Sequence, residues 1–121
     1  MEQGTCWKMR GNVLYVQMPG EVDHHSSDEI KEQIRRAREI QRIRSLVFDF
    51  KDTQFMDSAG IGMLLGRYKE LRAAGGSVYV RHVPPRLSRI LEMSGIYQII
   101  GDWDERTIEG GERHGGKESI W

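Results

Sequence analysis

The sequence has little of several features that would suggest a function at once. Its 121 residues include a single cysteine, Cys6, so no disulfide can form within the chain and a reducing compartment fits. No apolar run approaches the roughly 20 residues of a membrane span, and the N-terminus does not resemble a signal peptide. Basic and acidic residues balance at 18 each, so net charge attracts neither nucleic acid nor an anionic membrane. These absences predict one cytoplasmic domain with a modest core.

Motifs for metal and phosphate binding are missing or incomplete. Cys6 has no partner at metal-ligand spacing, and the loop pair His24–His25 is more typical of a solvated turn than of a metal site. Residues 111–117 have the glycine and lysine spacing of a phosphate-binding loop. However, Glu118 stands where a Ser or Thr is needed, and no strand pattern precedes the loop. The prediction is therefore no metal and no cofactor.

Strand and helix patterns alternate along the chain, which predicts an α/β fold. Strand patterns occupy residues 6–10, 13–18, 46–50, 77–83 and 96–100. Helix patterns follow Ser26, which has capping-box spacing to Glu29, then the segment near residue 58, then Pro84-Pro85. Such alternation implies a partly parallel, mixed sheet flanked by helices. The pattern ends after Trp103, so we predict a domain over residues 1–103 and a flexible tail over 104–121.

The first predicted helix carries basic residues that could indicate a nucleic-acid interface. They are Lys31, Arg35, Arg36, Arg38 and Arg42. Three glutamates interleave with them, and opposite charges three or four residues apart on a helix pair with each other. We therefore predict an ion-paired, solvated helix surface and no nucleic-acid partner.

The stretch FMDSAGIG, residues 55–62, lies where a strand pattern gives way to a helix pattern. A structural interpretation makes Asp57 or Ser58 the helix N-cap, since both residue types cap well. A hydrolase interpretation makes Ser58 the nucleophile of an elbow, which requires glycine two residues to either side. Gly60 satisfies that requirement and Met56 does not, and His82 is the one histidine placed to serve such a nucleophile.

A third interpretation makes Ser58 a phosphoacceptor. Gly60 and Gly62 leave the backbone near the hydroxyl uncluttered, and a helix N-terminus favours an added phosphate through its free amides and its dipole. Asp57 would oppose the added charge. Phosphate at this position would change the exposed surface that a partner must contact. Sequence physics alone leaves the cap, the nucleophile and the phosphoacceptor open.

The stretch FMDSAGIG with the following LGRYK, residues 65–69, closely resembles the STAS-domain anti-sigma-factor antagonists, and most of all their sporulation branch. GEVDHH, residues 20–25, is similar to the loop before the first helix of that family, and MSGI, residues 93–96, resembles a helix end. The similarity runs from about the first strand to about Ile100. Ala59 replaces a serine that is common in the family, so Ser58 is the one hydroxyl of the motif. The tail does not resemble the closing helix of the family.

The resemblance implies a STAS fold and a binding protein rather than an enzyme. It implies that the unphosphorylated form binds an anti-sigma serine kinase and releases a sporulation sigma factor. The kinase uses ATP to phosphorylate Ser58 and so ends binding, and a serine phosphatase reverses the step. It also implies a group of partner-contact residues: Asp23, His24, Asp57, Ala59, Gly60, Ile61 and Gly62. An antagonist of a stress-response sigma pathway is the alternative within the family, and a small serine hydrolase is the alternative outside it.

Overall fold

The computed structural model describes residues 6–104, so the predicted tail lies outside the described residues except for Asp104. The elements in this range are β1 (Cys6–Arg10), β2 (Val13–Gln17), β3 (Glu21–Val22), α1 (His24–Ile40), β4 (Ser45–Asp49), β5 (Phe55–Met56), α2 (Ser58–Ala73), β6 (Ser77–Arg81), α3 (Pro85–Met93), a short 3-10 turn (Ile96–Gln98) and β7 (Gly101–Asp102). Strands and helices alternate, as the sequence patterns predicted.

The main sheet has five strands in the order β1-β2-β4-β6-β7. The pair β1 and β2 is antiparallel, whereas β2, β4, β6 and β7 run parallel. Gly11 makes the hairpin turn between the first two strands with a φ of 63°, a left-handed conformation that favours glycine. The helices supply the crossovers that parallel strands require. The predicted mixed sheet with helices packed against it is therefore confirmed.

The core lies between the helices and one face of this sheet. Side chains of all three helices pack there against alternating residues of the strands, among them Leu14 and Val16. The opposite face is buried as well. It holds Tyr15 and Val47, and Trp103 packs edge-on against Tyr15 with ring centroids 6.1 Å apart. The strand pattern of residues 13–18 does not by itself show that an aromatic side chain after β7 covers this second face.

The predicted start of the first helix and the predicted strand over residues 96–100 were wrong. Helix α1 begins at His24, with Asp23 as N-cap, and Ser26 is its third residue rather than its cap. Asp23 is the N-cap because its carboxylate accepts a hydrogen bond from the Ser26 amide while the Ser26 hydroxyl accepts one from the Asp23 amide. Residues 96–100 do not form a strand. Ile96 and Ile100 instead fill the core from a 3-10 turn, and the last strand starts at Gly101.

A second, two-stranded sheet was not predicted. It pairs β3 with β5 in parallel, Glu21 opposite Phe55 and Val22 opposite Met56. Strands of two residues are too short to show an alternating pattern in the sequence. This small sheet places the starts of α1 and α2 next to each other, and with them most of the predicted site residues.

Candidate functional site: two adjacent helix starts

The predicted site residues of two distant sequence segments meet beyond the small sheet. Asp23 follows β3 directly and Asp57 follows β5 directly. The Asp57 amide donates to the Val22 carbonyl over 3.1 Å, which continues the pairing of two strands that lie about 4.8 Å apart. The sequence motif around Ser58 therefore lies next to the loop that ends in Asp23 and His24.

The start of α1 is closed by a reciprocal pair of hydrogen bonds. The Asp23 carboxylate accepts from the Ser26 amide over 3.0 Å, and the Ser26 hydroxyl accepts from the Asp23 amide over 3.0 Å. The same hydroxyl lies 3.1 Å from the Glu21 carbonyl, to which it can donate. The hydrogen bond from the Ser26 backbone amide, more than any other contact, lowers the pKa of Asp23 below its ordinary value. Ser26 is thus fully engaged in capping.

The start of α2 uses the same kind of cap but leaves its serine free. One Asp57 carboxylate oxygen accepts from the Ala59 amide over 2.9 Å and from the Gly60 amide over 3.2 Å. Ser58, the first residue of the helix, is exposed, and its hydroxyl makes no hydrogen bond to any residue of 6–104. Of the two cap candidates in the sequence, Asp57 is the one that caps. Its carboxylate also occupies amides that the sequence argument left available to a phosphate.

Two glycines of the motif have different surroundings. Gly60 is buried, and a Cβ there would lie 2.5 Å from Met56 Cγ and 2.9 Å from Val22 Cγ1. The helix can therefore approach the small sheet closely only because residue 60 has no side chain. Gly62 is exposed, and a Cβ there would meet nothing within 4 Å. Gly60 shapes the site from beneath, whereas Gly62 leaves the helix surface itself flat.

The remaining predicted contact residues belong to the first turns of the same two helices. Ala59 and Ile61 are half-buried on α2, and Ile61 packs against the core. His24 is exposed at the start of α1, with its Nε2 3.7 Å from an oxygen of Asp28. Phe55, in β5 two residues before Asp57, is an exposed apolar side chain with 48% of its surface accessible. The site is a shallow surface of helix starts, which suits contact with another protein more than enclosure of a small molecule.

The hydrolase interpretation lacks its base. The histidine that the sequence made available, His82, has its Nδ1 3.0 Å from an oxygen of the buried Asp49. No hydrogen bond joins Ser58 to a histidine among residues 6–104. A serine nucleophile needs a base within hydrogen-bond reach. The geometry therefore gives no support to nucleophilic catalysis at Ser58.

The basic surface of α1 is paired, as predicted. Arg35 lies 2.6 Å from Glu32 and also pairs with Glu39, and Arg38 reaches Glu70 on α2 over 3.2 Å. The pairing with Arg35 lowers the pKa of Glu32. Within residues 6–104, no helix has the length and apolar character to cross a membrane. Over the same range, no group of three or more histidine, cysteine or acidic side chains could hold a metal ion.

Residues 7–110 match the model of the STAS domain. The chain belongs to the STAS domain family. It is 41% identical over 95 residues to the anti-sigma F factor antagonist of Paenibacillus polymyxa, covering 78% of this chain and 81% of that relative. It is 30% identical over 93 residues to the anti-sigma-B factor antagonist of Bacillus subtilis, covering 77% of this chain and 84% of that relative.

Solved structures agree with this assignment. The STAS chain described here superposes on the anti-sigma factor antagonist SpoIIAA in its unphosphorylated form with a TM-score of 0.74 and 27% identity, covering 86% of this chain and 91% of the other. The phosphorylated form of SpoIIAA from Bacillus gives a TM-score of 0.67 at 27% identity, covering 86% and 95%. The predicted family and STAS fold are therefore confirmed.

Sequence reasoning missed one buried cluster, which lies where β4 and β6 end. Asp49 has no exposed surface and lies 2.9 Å from Arg81 Nε as well as 3.0 Å from His82 Nδ1. The sequence showed Asp49 as the one charge in an apolar strand. Charged side chains are almost never fully buried unless paired, so that interruption was the signal from which a partner could have been inferred.

Proposed function

We propose that this STAS protein is an anti-sigma-factor antagonist of the sporulation type, whose binding to an anti-sigma serine kinase is switched off by phosphorylation of Ser58. The observation that carries the proposal is the free, exposed hydroxyl of Ser58 at a helix start that Asp57 already caps. The serines at the start of α1 differ, since Ser26 is engaged in the cap and Ser27 is buried. Relatives named as anti-sigma F factor antagonists, and a phosphorylated neighbour structure, support the same role.

The proposed switch is electrostatic. A phosphate on Ser58 carries close to two negative charges at neutral pH and would stand beside Asp57 and close to Asp23. Because the Ala59 and Gly60 amides are already bonded to Asp57, they do not stand ready to neutralise it. The charge would therefore face the partner. A misplaced like charge at an interface costs several kcal/mol, and roughly 1.4 kcal/mol corresponds to tenfold in affinity.

The chain itself needs no catalytic residue for this cycle. The partner kinase supplies ATP and the base that activates the Ser58 hydroxyl, and a separate serine phosphatase removes the phosphate. Contacts with the unphosphorylated surface would come from Asp23, His24 and the exposed part of α2 around Gly62. Discrimination between the two forms then rests on repulsion as much as on attraction.

Intact mass after incubation with the anti-sigma F kinase and ATP tests the proposal directly. We expect one added phosphate on the wild type and on Ser26→Ala, and none on Ser58→Ala. Phosphate on Ser58→Ala, or none on the wild type while the kinase phosphorylates another antagonist, would refute the assignment. A fluorophosphonate probe should leave Ser58 unlabelled, whereas a serine hydrolase would be labelled there.

The similarity to an anti-sigma-B factor antagonist supports a second candidate, regulation of a stress-response sigma factor. The identity is 30% rather than the 41% found for the sporulation relative. We expect the chain to bind the anti-sigma F kinase more tightly than the anti-sigma-B kinase in a direct competition. The reverse order of affinity would transfer the proposal to the stress pathway.

A further inference from the structure

The buried cluster at the end of β4 and β6 has no evident part in forming the core. Asp49 is the last residue of β4, directly after the buried apolar residues Leu46, Val47 and Phe48, and it is itself fully buried. A buried carboxylate must be paired, and a buried ion pair is often no better for stability than well-packed apolar side chains. Some other consequence of the charge therefore has to explain its place in the sheet.

The Asp49 carboxylate bonds to groups of the following turn and of the end of β6. One oxygen accepts from the Lys51 amide over 3.0 Å, which folds the turn after β4 back onto the strand. The other oxygen accepts from Arg81 Nε over 2.9 Å and from His82 Nδ1 over 3.0 Å. The Arg81 guanidinium also lies over the Tyr15 ring, 4.7 Å from its centroid. The carboxylate thus joins the turn after β4 to the end of β6.

His82 adopts an unusual backbone conformation to make its contact. Its φ is 55°, and no other residue of 6–104 apart from glycines has a positive φ. A left-handed backbone at a non-glycine residue is unfavourable and persists only where surrounding contacts fix it. The bond from His82 Nδ1 to Asp49 is the contact the structure shows for this side chain. The strained backbone and the buried carboxylate therefore belong to one arrangement.

The segment held by this cluster leads directly to Ser58. The Phe50 amide donates to the Arg81 carbonyl over 3.0 Å, and the Thr53 amide donates to the Phe50 carbonyl over 3.0 Å. The buried Thr53 hydroxyl donates to the Pro19 carbonyl over 2.8 Å, and the Gln54 amide donates to the Gly20 carbonyl over 2.7 Å. Hydrogen bonds therefore hold residues 50–54 between the end of β6 and the Pro19–Gly20 segment, and β5 and the Asp57 cap follow directly along the chain.

We propose that Asp49 and His82 are positioning residues for the phosphorylation switch, because they fix the segment 50–57 that presents Ser58 to its partner. The inference rests on the proposed function for its consequence but not for its geometry. Loosening the Asp49 cluster should loosen this segment first and leave the rest of the sheet in place. Phosphorylation of Ser58 should then become slower because the acceptor is less well presented.

Amide hydrogen exchange on the whole chain, without kinase, tests the positioning. His82→Gly removes the donor to Asp49 and also relieves the left-handed backbone at residue 82. If the only effect of His82 were its backbone strain, this variant would be more stable and its amides would exchange more slowly. Positioning predicts about tenfold faster exchange at Gln54, Phe55 and Asp57, with little change in α3 or β6. His82→Asn is the matched control. Its side-chain amide nitrogen takes the place of Nδ1, asparagine tolerates φ > 0, and protection should return.

Asp49→Asn should give the same local effect more strongly, and the His82 variants keep the test informative if it does not fold. In kinase assays His82→Gly should raise the KM for the antagonist, and His82→Asn should restore it. Unchanged exchange, or faster exchange spread evenly over the sheet, would overturn the inference. Local loosening with unchanged phosphorylation would refute the link to the switch. If wild-type Ser58 is not phosphorylated at all, the proposed function fails while the exchange result still decides the positioning.

Discussion

The starts of α1 and α2 are built on the same plan but differ in the first three residues of each helix. Each follows a two-residue strand of the small sheet, and each has an aspartate N-cap. The third helical residue is Ser26 in α1 and Gly60 in α2. The side chain of Ser26 closes the first cap, whereas Gly60 has none and lets α2 sit closer to the sheet. At the start of α1 the serine hydroxyl is therefore used within the cap, whereas at the start of α2 the Ser58 hydroxyl is available to another molecule.

The largest expected effect is on partner binding at the second start. Ser58→Asp places a carboxylate where the free hydroxyl stands, and we expect it to weaken binding to the anti-sigma kinase by about two orders of magnitude or more. Ser58→Asn has the same shape without the charge and should bind much like wild type. Titration calorimetry on both variants measures the difference. Equal binding by Asp and Asn variants would mean that charge is not the basis of the switch.

The two glycines of α2 should respond in opposite directions. Gly60→Ala forces a methyl group against Met56 and Val22, and overpacking of this kind costs about 1–3 kcal/mol. Gly62→Ala meets open space and should gain up to about 1 kcal/mol from better helix propensity. Urea unfolding of both variants provides the measurement. If Gly62→Ala is stable yet binds the kinase poorly, the exposed surface of α2 is a direct contact.

The serines of the two starts should differ in their contribution to folding. Ser26→Ala removes one half of the α1 capping box and should lower the free energy of unfolding by about 1 kcal/mol. Ser58→Ala removes no hydrogen bond within residues 6–104 and should change it by less than about 0.5 kcal/mol. Thermal and urea unfolding of the pair check this. A clear loss for Ser58→Ala would return Ser58 to a structural role.

The smallest effect concerns the protonation of Asp23. Its pKa lies below the ordinary 3.8 mainly because the Ser26 amide donates to the carboxylate. The unfolded chain therefore takes up its proton first as the pH falls. The contribution of Asp23 to stability is complete above about pH 4 and is lost as the pH falls through the lowered value. Carboxyl-carbon NMR titration measures it, and a midpoint at or above 3.8 would contradict the cap geometry.

The fold class was readable from the sequence because periodicity and glycine positions carry it. Gly75 and Gly95 follow the ends of α2 and α3 with φ values of 88° and 82°, a conformation that glycine favours at a helix end. The start of α1 was misplaced because two possible capping pairs, Asp23 with Ser26 and Ser26 with Glu29, share Ser26, and the sequence does not show in which of them that serine takes part. The two-residue strands gave no periodic signal at all.

The candidate site was only partly readable. The motif singled out Ser58 and the small residues after it, and the fold brought Asp23 beside them. The bond from His82 to Asp49 joins residues 33 positions apart, and no local pattern reports such a contact. Whether Gly60 is buried or exposed could not be read either, because that depends on how closely α2 approaches a sheet that the sequence did not reveal.

The aromatic cluster on the far face of the sheet has a spectroscopic consequence. Trp103 packs edge-on against Tyr79 with centroids 5.0 Å apart, on the face opposite the helices. Such fixed aromatic contacts give near-ultraviolet circular dichroism, which is lost when tertiary packing is lost. The Trp103 band should therefore follow the integrity of the main sheet and stay unchanged when Ser58 is phosphorylated. The chain thus contains an intrinsic reporter that separates unfolding from switching.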